Sequence, residues 1–117
     1  MSIEDLRKDI ARFAAERDWD QFHSIRNLVL AMVGEVGEVA EILQWTDDNK
    51  VGELLNSGGR ERLAEELADV LIYLIRVADR SGVDLESAVR AKLAANDRKY
   101  PVDLARGSAK KYDDLRG

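Results

Sequence analysis

At 117 residues, with 45% hydrophobic and 35% charged side chains, the chain is long enough for one domain with a modest core. The absence of cysteine excludes disulfides, thiolate zinc sites and cysteine nucleophiles. A net charge of -5 speaks against a nucleic-acid polymer as partner, because that binding draws on Lys and Arg set against phosphates. No long apolar run and no apolar leader in MSIEDLRKDI predict a cytoplasmic protein away from the membrane. The single proline and the long periodic stretches predict an all-α fold with one domain over residues 1–117.

Ile3, Leu6, Ile10, Phe13 and Ala14 recur at three- and four-residue spacings, which predicts an amphipathic helix over about residues 2–18. Asp18 to His23 break the pattern in a short aromatic-rich connector, and Ser24 is placed to cap a second helix over about residues 24–46. That helix is apolar apart from glutamates and two glycines. With Glu35 at zero and about 100° per residue, Leu28 lies at about 20°, Val39 at about 40° and Ile42 at about 340°. Glu35 therefore points where its apolar neighbours point. Glu38 lies at about 300°, while Gly34, Gly37 and Glu41 lie between about 200° and 260°, where the glycines would admit another backbone.

Residues 46–59 are polar and end in a Gly pair, which predicts a loop with room for one helical turn at Val51 to Leu55. A third helix over about residues 60–80 is apolar on most of its circumference from Ala64 to Ala78 and is expected to be the central core helix. With Asp69 at zero, its polar exceptions Glu66, Tyr73, Arg76 and Arg62 all lie within about 60°, in one narrow stripe. Gly82 is placed to end this helix and Asp84 to cap a fourth over about residues 84–100, where Lys92, Asn96 and Lys99 continue a face begun by Leu85, Ala88 and Val89. Tyr100-Pro101 stops it, and the tail 102–117 has little periodicity, which predicts an extended or partly ordered segment.

Residues three apart on a helix are surface neighbours, so Glu35/Glu38 and Glu66/Asp69 form two carboxylate claws on apolar helices. Uncompensated carboxylates there cost several kcal/mol or more by desolvation, on the order of that magnitude each, so a cation is expected between them. Hard oxygen ligands suit Mg²⁺ or Mn²⁺, which would take the rest of its shell from water and substrate phosphates. The competing account is ionic: buried salt bridges from Arg62 or Arg76 to the same carboxylates. Trp19 and Trp45, at helix ends beside connectors, suit either rim packing or stacking on a nucleobase. Tyr73 stands one turn past Asp69, able to reach a sugar or to close the core, and Lys92 and Asn96 offer a cation and an amide to a phosphate or sugar or lie on an ordinary surface. His23, with no acidic partner nearby in sequence, reads as structural.

The segments GEVGEVAEILQW and EELADVLIYLI resemble the MazG-like all-α nucleoside triphosphate pyrophosphohydrolases, whose pattern is Glu-x-x-Glu on one helix and Glu-x-x-Asp on the next. ERDWDQFHSIRNL, KLAANDRKYP and ARGSAKKYDDL extend the likeness to the dCTP pyrophosphatase subgroup along nearly the whole chain. The resemblance implies a four-helix bundle completed by oligomerisation, as a homotetramer built as a dimer of dimers, with Mg²⁺ on Glu35, Glu38, Glu66 and Asp69. It implies hydrolysis of a dNTP, dCTP above others, to dNMP and pyrophosphate in nucleotide-pool house-cleaning, with Glu35 or Glu38 accepting the proton of the attacking water. Trp19, Trp45, Tyr73, Lys92 and Asn96 match the residues around the nucleotide. One position departs: Ile10 stands where the vertebrate enzymes carry a histidine that reaches the nucleotide, which weakens the case for cytosine relative to that for pyrophosphatase activity. The alternatives are a dUTP or broad-specificity MazG-type enzyme, a phosphoribosyl-ATP pyrophosphohydrolase, or a non-catalytic helical interaction module.

Overall fold

The computed structural model describes residues 2–109, and all regular structure among them is helical. Six α-helices are formed: α1 (Ile3–Glu16), α2 (Ile25–Leu43), α3 (Val51–Leu54), α4 (Arg60–Ser81), α5 (Leu85–Lys99) and α6 (Val102–Ala105). The chain divides into two compact units, one ending at Val83 and one beginning at Asp84. The four long helices stand within three residues of the expected ends. Side-chain caps open α1, α2 and α5.

In the first unit, α1 opens on a reciprocal capping box between Ser2 and Asp5. It closes on Asp18 in the left-handed region at φ 54°, with Asp18 N–H donating to Ala15 O (3.1 Å) and Trp19 N–H donating to Ala14 O (2.9 Å). That pair of bonds is a Schellman turn with aspartate in the position glycine usually takes. The 3₁₀ turn Asp20–Phe22 follows, and Ser24 caps α2 by accepting from Asn27 N–H at 3.1 Å. At the far end of α4, Gly82 adopts φ 72° and its N–H reaches Ala78 O and Asp79 O, as its position in the sequence predicts.

α2 packs chiefly on α4, and α1 packs on α4 as well. Arg76 near the end of α4 meets His23 just before α2, while Glu66 and Asp69 in its first half meet Glu35 in mid-α2. The two helices therefore run antiparallel. Ala14, Leu28, Ile42, Ile75 and Ala78 form the buried core. This core is small, because α2 leaves Leu30, Val33 and Val36 exposed and α4 leaves Leu67, Leu71 and Leu74 exposed. Gly34 and Gly37 likewise face open space, so the close backbone approach expected there is not made within this chain.

The segment between α2 and α4 is more helical than its polar composition suggests. A 3₁₀ turn (Asp48–Lys50), α3 and a π-type turn (Leu55–Gly59) run almost without interruption into α4. The break is at Ser57 and Gly58, and the bend presses Gly59 so close to Leu54 that a β-carbon there would stand 2.5 Å from its carbonyl oxygen. In the second unit Asp84 caps α5 by accepting from Ser87 N–H at 3.1 Å. The tail is partly helical, in the single turn α6; its residues 110–117 lie outside the described part.

Candidate metal centre and nucleotide site

Glu35 is carried on the buried face of α2, between Leu28 and Ile42, which are 2% and 6% exposed. The expected helical phase holds: the carboxylate is half-buried on the face that meets α4. There it meets Glu66 and Asp69, and one carboxylate oxygen from each of the three lies within 4.8 Å of the others. Glu38, one turn on along α2, is exposed and lies outside this group. Three of the four predicted carboxylates thus come together within one chain.

Neither of the two arginines on the α4 stripe neutralises them by direct contact. Arg76, a candidate for that role, is 4% exposed and turned to the other end of the unit, where its guanidinium binds Asp20 and Asp79 and donates from Nε to His23 Nδ1 at 3.1 Å. Arg62 is exposed and makes no ion pair with the cluster, although its field favours the Glu66 carboxylate. The ionic explanation of the acidic pairs therefore fails at both arginines. The donor set, three oxygens of hard character from two rigid helices, fits a divalent cation such as Mg²⁺.

The electrostatics point the same way. Desolvation first, then the negative charges of Glu35 and Asp69, raise the Glu66 carboxyl above its ordinary value against the opposing field of Arg62; hydrogen bonding with Glu35 adds to the rise. A raised carboxyl is one that folding makes harder to ionise. Without metal, its contribution to stability is complete below the unfolded-state value and is lost as pH rises through the folded one. Metal-free wild type is accordingly expected to lose stability relative to Glu66→Gln over that window, in denaturant titrations at stepped pH. Added Mg²⁺ is expected to reverse the difference above it. A pH-independent difference would contradict the assignment.

The remaining predicted residues are distributed as follows. Tyr73 is half-buried on α4, one turn beyond Asp69. Trp45, just past the end of α2, is 90% exposed, so rim packing within the chain does not account for it. Trp19 is 43% exposed and packs edge-on against Phe13 (centroids 5.6 Å, 71°) and His23 (6.3 Å, 62°). Lys92 and Asn96 lie one turn apart on α5 and belong to the second unit. Ile10 is half-buried on α1.

The polar network around Arg76 was not legible in the sequence. His23 looked partnerless because its partner is 53 residues away. Nδ1 accepts from Arg76 Nε, and burial followed by the Arg76 charge holds the imidazole below the ordinary histidine value, with Asp20 opposing. Asp79 completes the network by accepting from Arg7 of α1 at 3.1 Å.

The dCTP pyrophosphatase 1 of Bos taurus is 55% identical over 115 residues, spanning 97% of this chain and 68% of the relative. That of Homo sapiens is 53% identical over the same spans. The crystal structure of a pyrophosphatase from Archaeoglobus fulgidus superposes with a TM-score of 0.79 at 36% identity, covering 84% of this chain and 91% of that one. An all-helical fold of this kind, with such relatives across almost its entire length, defines a pyrophosphohydrolase enzyme. The chain belongs to the MazG-like family, which it matches over residues 31–115.

Proposed function

We propose that this pyrophosphohydrolase is Mg²⁺-dependent and acts on deoxynucleoside triphosphates, dCTP first among them, releasing dNMP and pyrophosphate in house-cleaning of the nucleotide pool. The observation that carries the metal is the convergence of Glu35, Glu66 and Asp69 while Arg76 is engaged by Asp20 and Asp79 instead. The dCTP pyrophosphatases, 53% to 55% identical, support the substrate. Glu35, Glu66 and Asp69 would hold the cation, with Glu38 on the next turn of α2 as a further carboxylate. Once bound, Mg²⁺ would offset charge on the triphosphate and make water a stronger nucleophile toward the α-phosphorus.

The protein side chains have separate tasks in this reading. Glu35 or Glu38 accepts the proton of the attacking water, a role that requires hydrogen-bond reach of it. Trp19 and Trp45 offer flat faces to the base, Tyr73 offers a hydroxyl to the sugar, and Lys92 and Asn96 contact phosphate or sugar from α5. Exposed leucines and valines on α2 and α4 are the surfaces on which a homotetramer, a dimer of dimers, would form. No helix among the described residues is long and apolar enough to cross a membrane, which is compatible with a cytoplasmic enzyme.

A pyrophosphate-release assay across dNTPs, NTPs and phosphoribosyl-ATP, with Mg²⁺, Mn²⁺ or chelator, tests the proposal. The expected result is metal-dependent turnover with dCTP preferred. Preference for dUTP, or equal rates on all dNTPs, would transfer the specificity to the broad members of the family and fit Ile10. Light scattering of the same sample tests the assembly, and a monomer would refute it.

A further inference from the structure

Trp19 is held from three sides. Its backbone N–H closes the Schellman turn on Ala14, and its indole makes T-shaped contacts with the Phe13 ring and with the imidazole of His23. His23 is itself immobilised, accepting from Arg76 Nε at Nδ1 and from Arg80 Nε at its backbone oxygen (3.2 Å). Arg76 has little freedom to move, because it is 4% exposed and its other donors are taken by Asp20 and Asp79. It stands on α4 seven residues beyond Asp69, a rise of about 10 Å along the helix. The helix that carries two of the carboxylates therefore also anchors the aromatic connector, two turns further on.

We infer that His23, clamped by Arg76, is a positioning residue for the nucleotide: it seats the Trp19 ring at a fixed separation from the carboxylate centre, so that base and triphosphate are engaged together. The inference rests on the proposed placement of the base at Trp19. Its physical content is preorganisation. A tryptophan beside a connector has side-chain freedom to lose on binding, and the clamped imidazole removes that freedom beforehand. The ring contributes a T-shaped contact to the indole and an acceptor to Arg76.

The test is His23→Ala in the full chain, assayed for pyrophosphate release from dCTP with Mg²⁺, alongside near-ultraviolet circular dichroism of the indoles. KM is expected to rise about tenfold with kcat held within about twofold, the pattern of lost binding and not of lost chemistry. The indole band should change. His23→Gln, whose carbonyl can still accept from Arg76, should recover most of the KM. An unchanged KM, or a fall in kcat that only follows a lower Tm, overturns the inference and leaves His23 structural. If His23→Ala does not fold, Asp20→Asn, which loosens Arg76 while keeping both rings, is expected to raise KM severalfold, and no rise overturns the inference equally. Wild-type protein inert on every nucleotide refutes the proposed function instead, a result read before any variant is made.

Discussion

Glu66→Gln is expected to lower Mg²⁺-dependent pyrophosphate release by about a thousandfold, roughly 4 kcal/mol of lost transition-state stabilisation. Glutamine preserves the shape of the side chain and removes its charge, so the effect isolates cation binding from packing. Three clustered carboxylates become two, and the pair left on different helices, Glu35 and Asp69, holds a divalent cation more weakly. The metal-free fold should suffer little, since the substitution relieves the charge crowding that raises Glu66. Thermal melts supply the second readout: Mg²⁺ should raise the Tm of the wild type and leave that of the variant nearly unmoved. Wild-type turnover in Glu66→Gln would sink the metal-centre assignment.

Arg76→Met should have the largest effect on stability. Removing one partner of a buried ion pair costs about 3 to 5 kcal/mol, because the charge left behind has lost both water and partner. Here Asp20 is half exposed and can turn to solvent, which places the loss at the lower end, about 3 kcal/mol. Asp79 is less exposed but retains Arg7. For a domain of this size that loss corresponds to a fall in Tm of roughly 10 to 20 °C. Arg76→Lys should fall in between, since an ammonium keeps the charge but cannot bind Asp20, Asp79 and His23 in one planar fork. A Tm for Arg76→Met within a few degrees of wild type would mean that the network contributes little to the fold. These two substitutions separate what the two ends of α4 do: at Glu66 the cost falls on activity, at Arg76 on folding.

Much of the site was readable from helical phase. Glu35 could be placed because Leu28 and Ile42 flank it at the spacing of one helix face, and burial of those two residues draws the carboxylate in with them. Glu66 and Asp69 followed from the same arithmetic on α4. The Ser24 and Asp84 caps and the Gly82 stop were legible because each depends on one residue and its immediate neighbours. The end of α1 was less so: aspartate reaches the left-handed region less readily than glycine, so Asp18 did not announce a Schellman turn. The polar composition of residues 46–59 suggested a loop, yet consecutive short helical turns satisfy their backbone groups equally well.

The sequence by itself determined the four long helices, the Ser24 and Asp84 caps, the Gly82 stop and the face of α2 that carries Glu35, because these are set by spacing along one chain; its segments also carried the family resemblance. Only the tertiary structure decided which of the two arginine candidates met the carboxylates. Neither does, and Arg76 is engaged instead by Asp20, His23 and Asp79. It also separated Glu38 from the other three acids within the chain and gave His23 a partner. Those outcomes depend on how α1, the connector and α2 lie against α4, and a charge on a helix stripe has no preferred partner until packing brings one within reach.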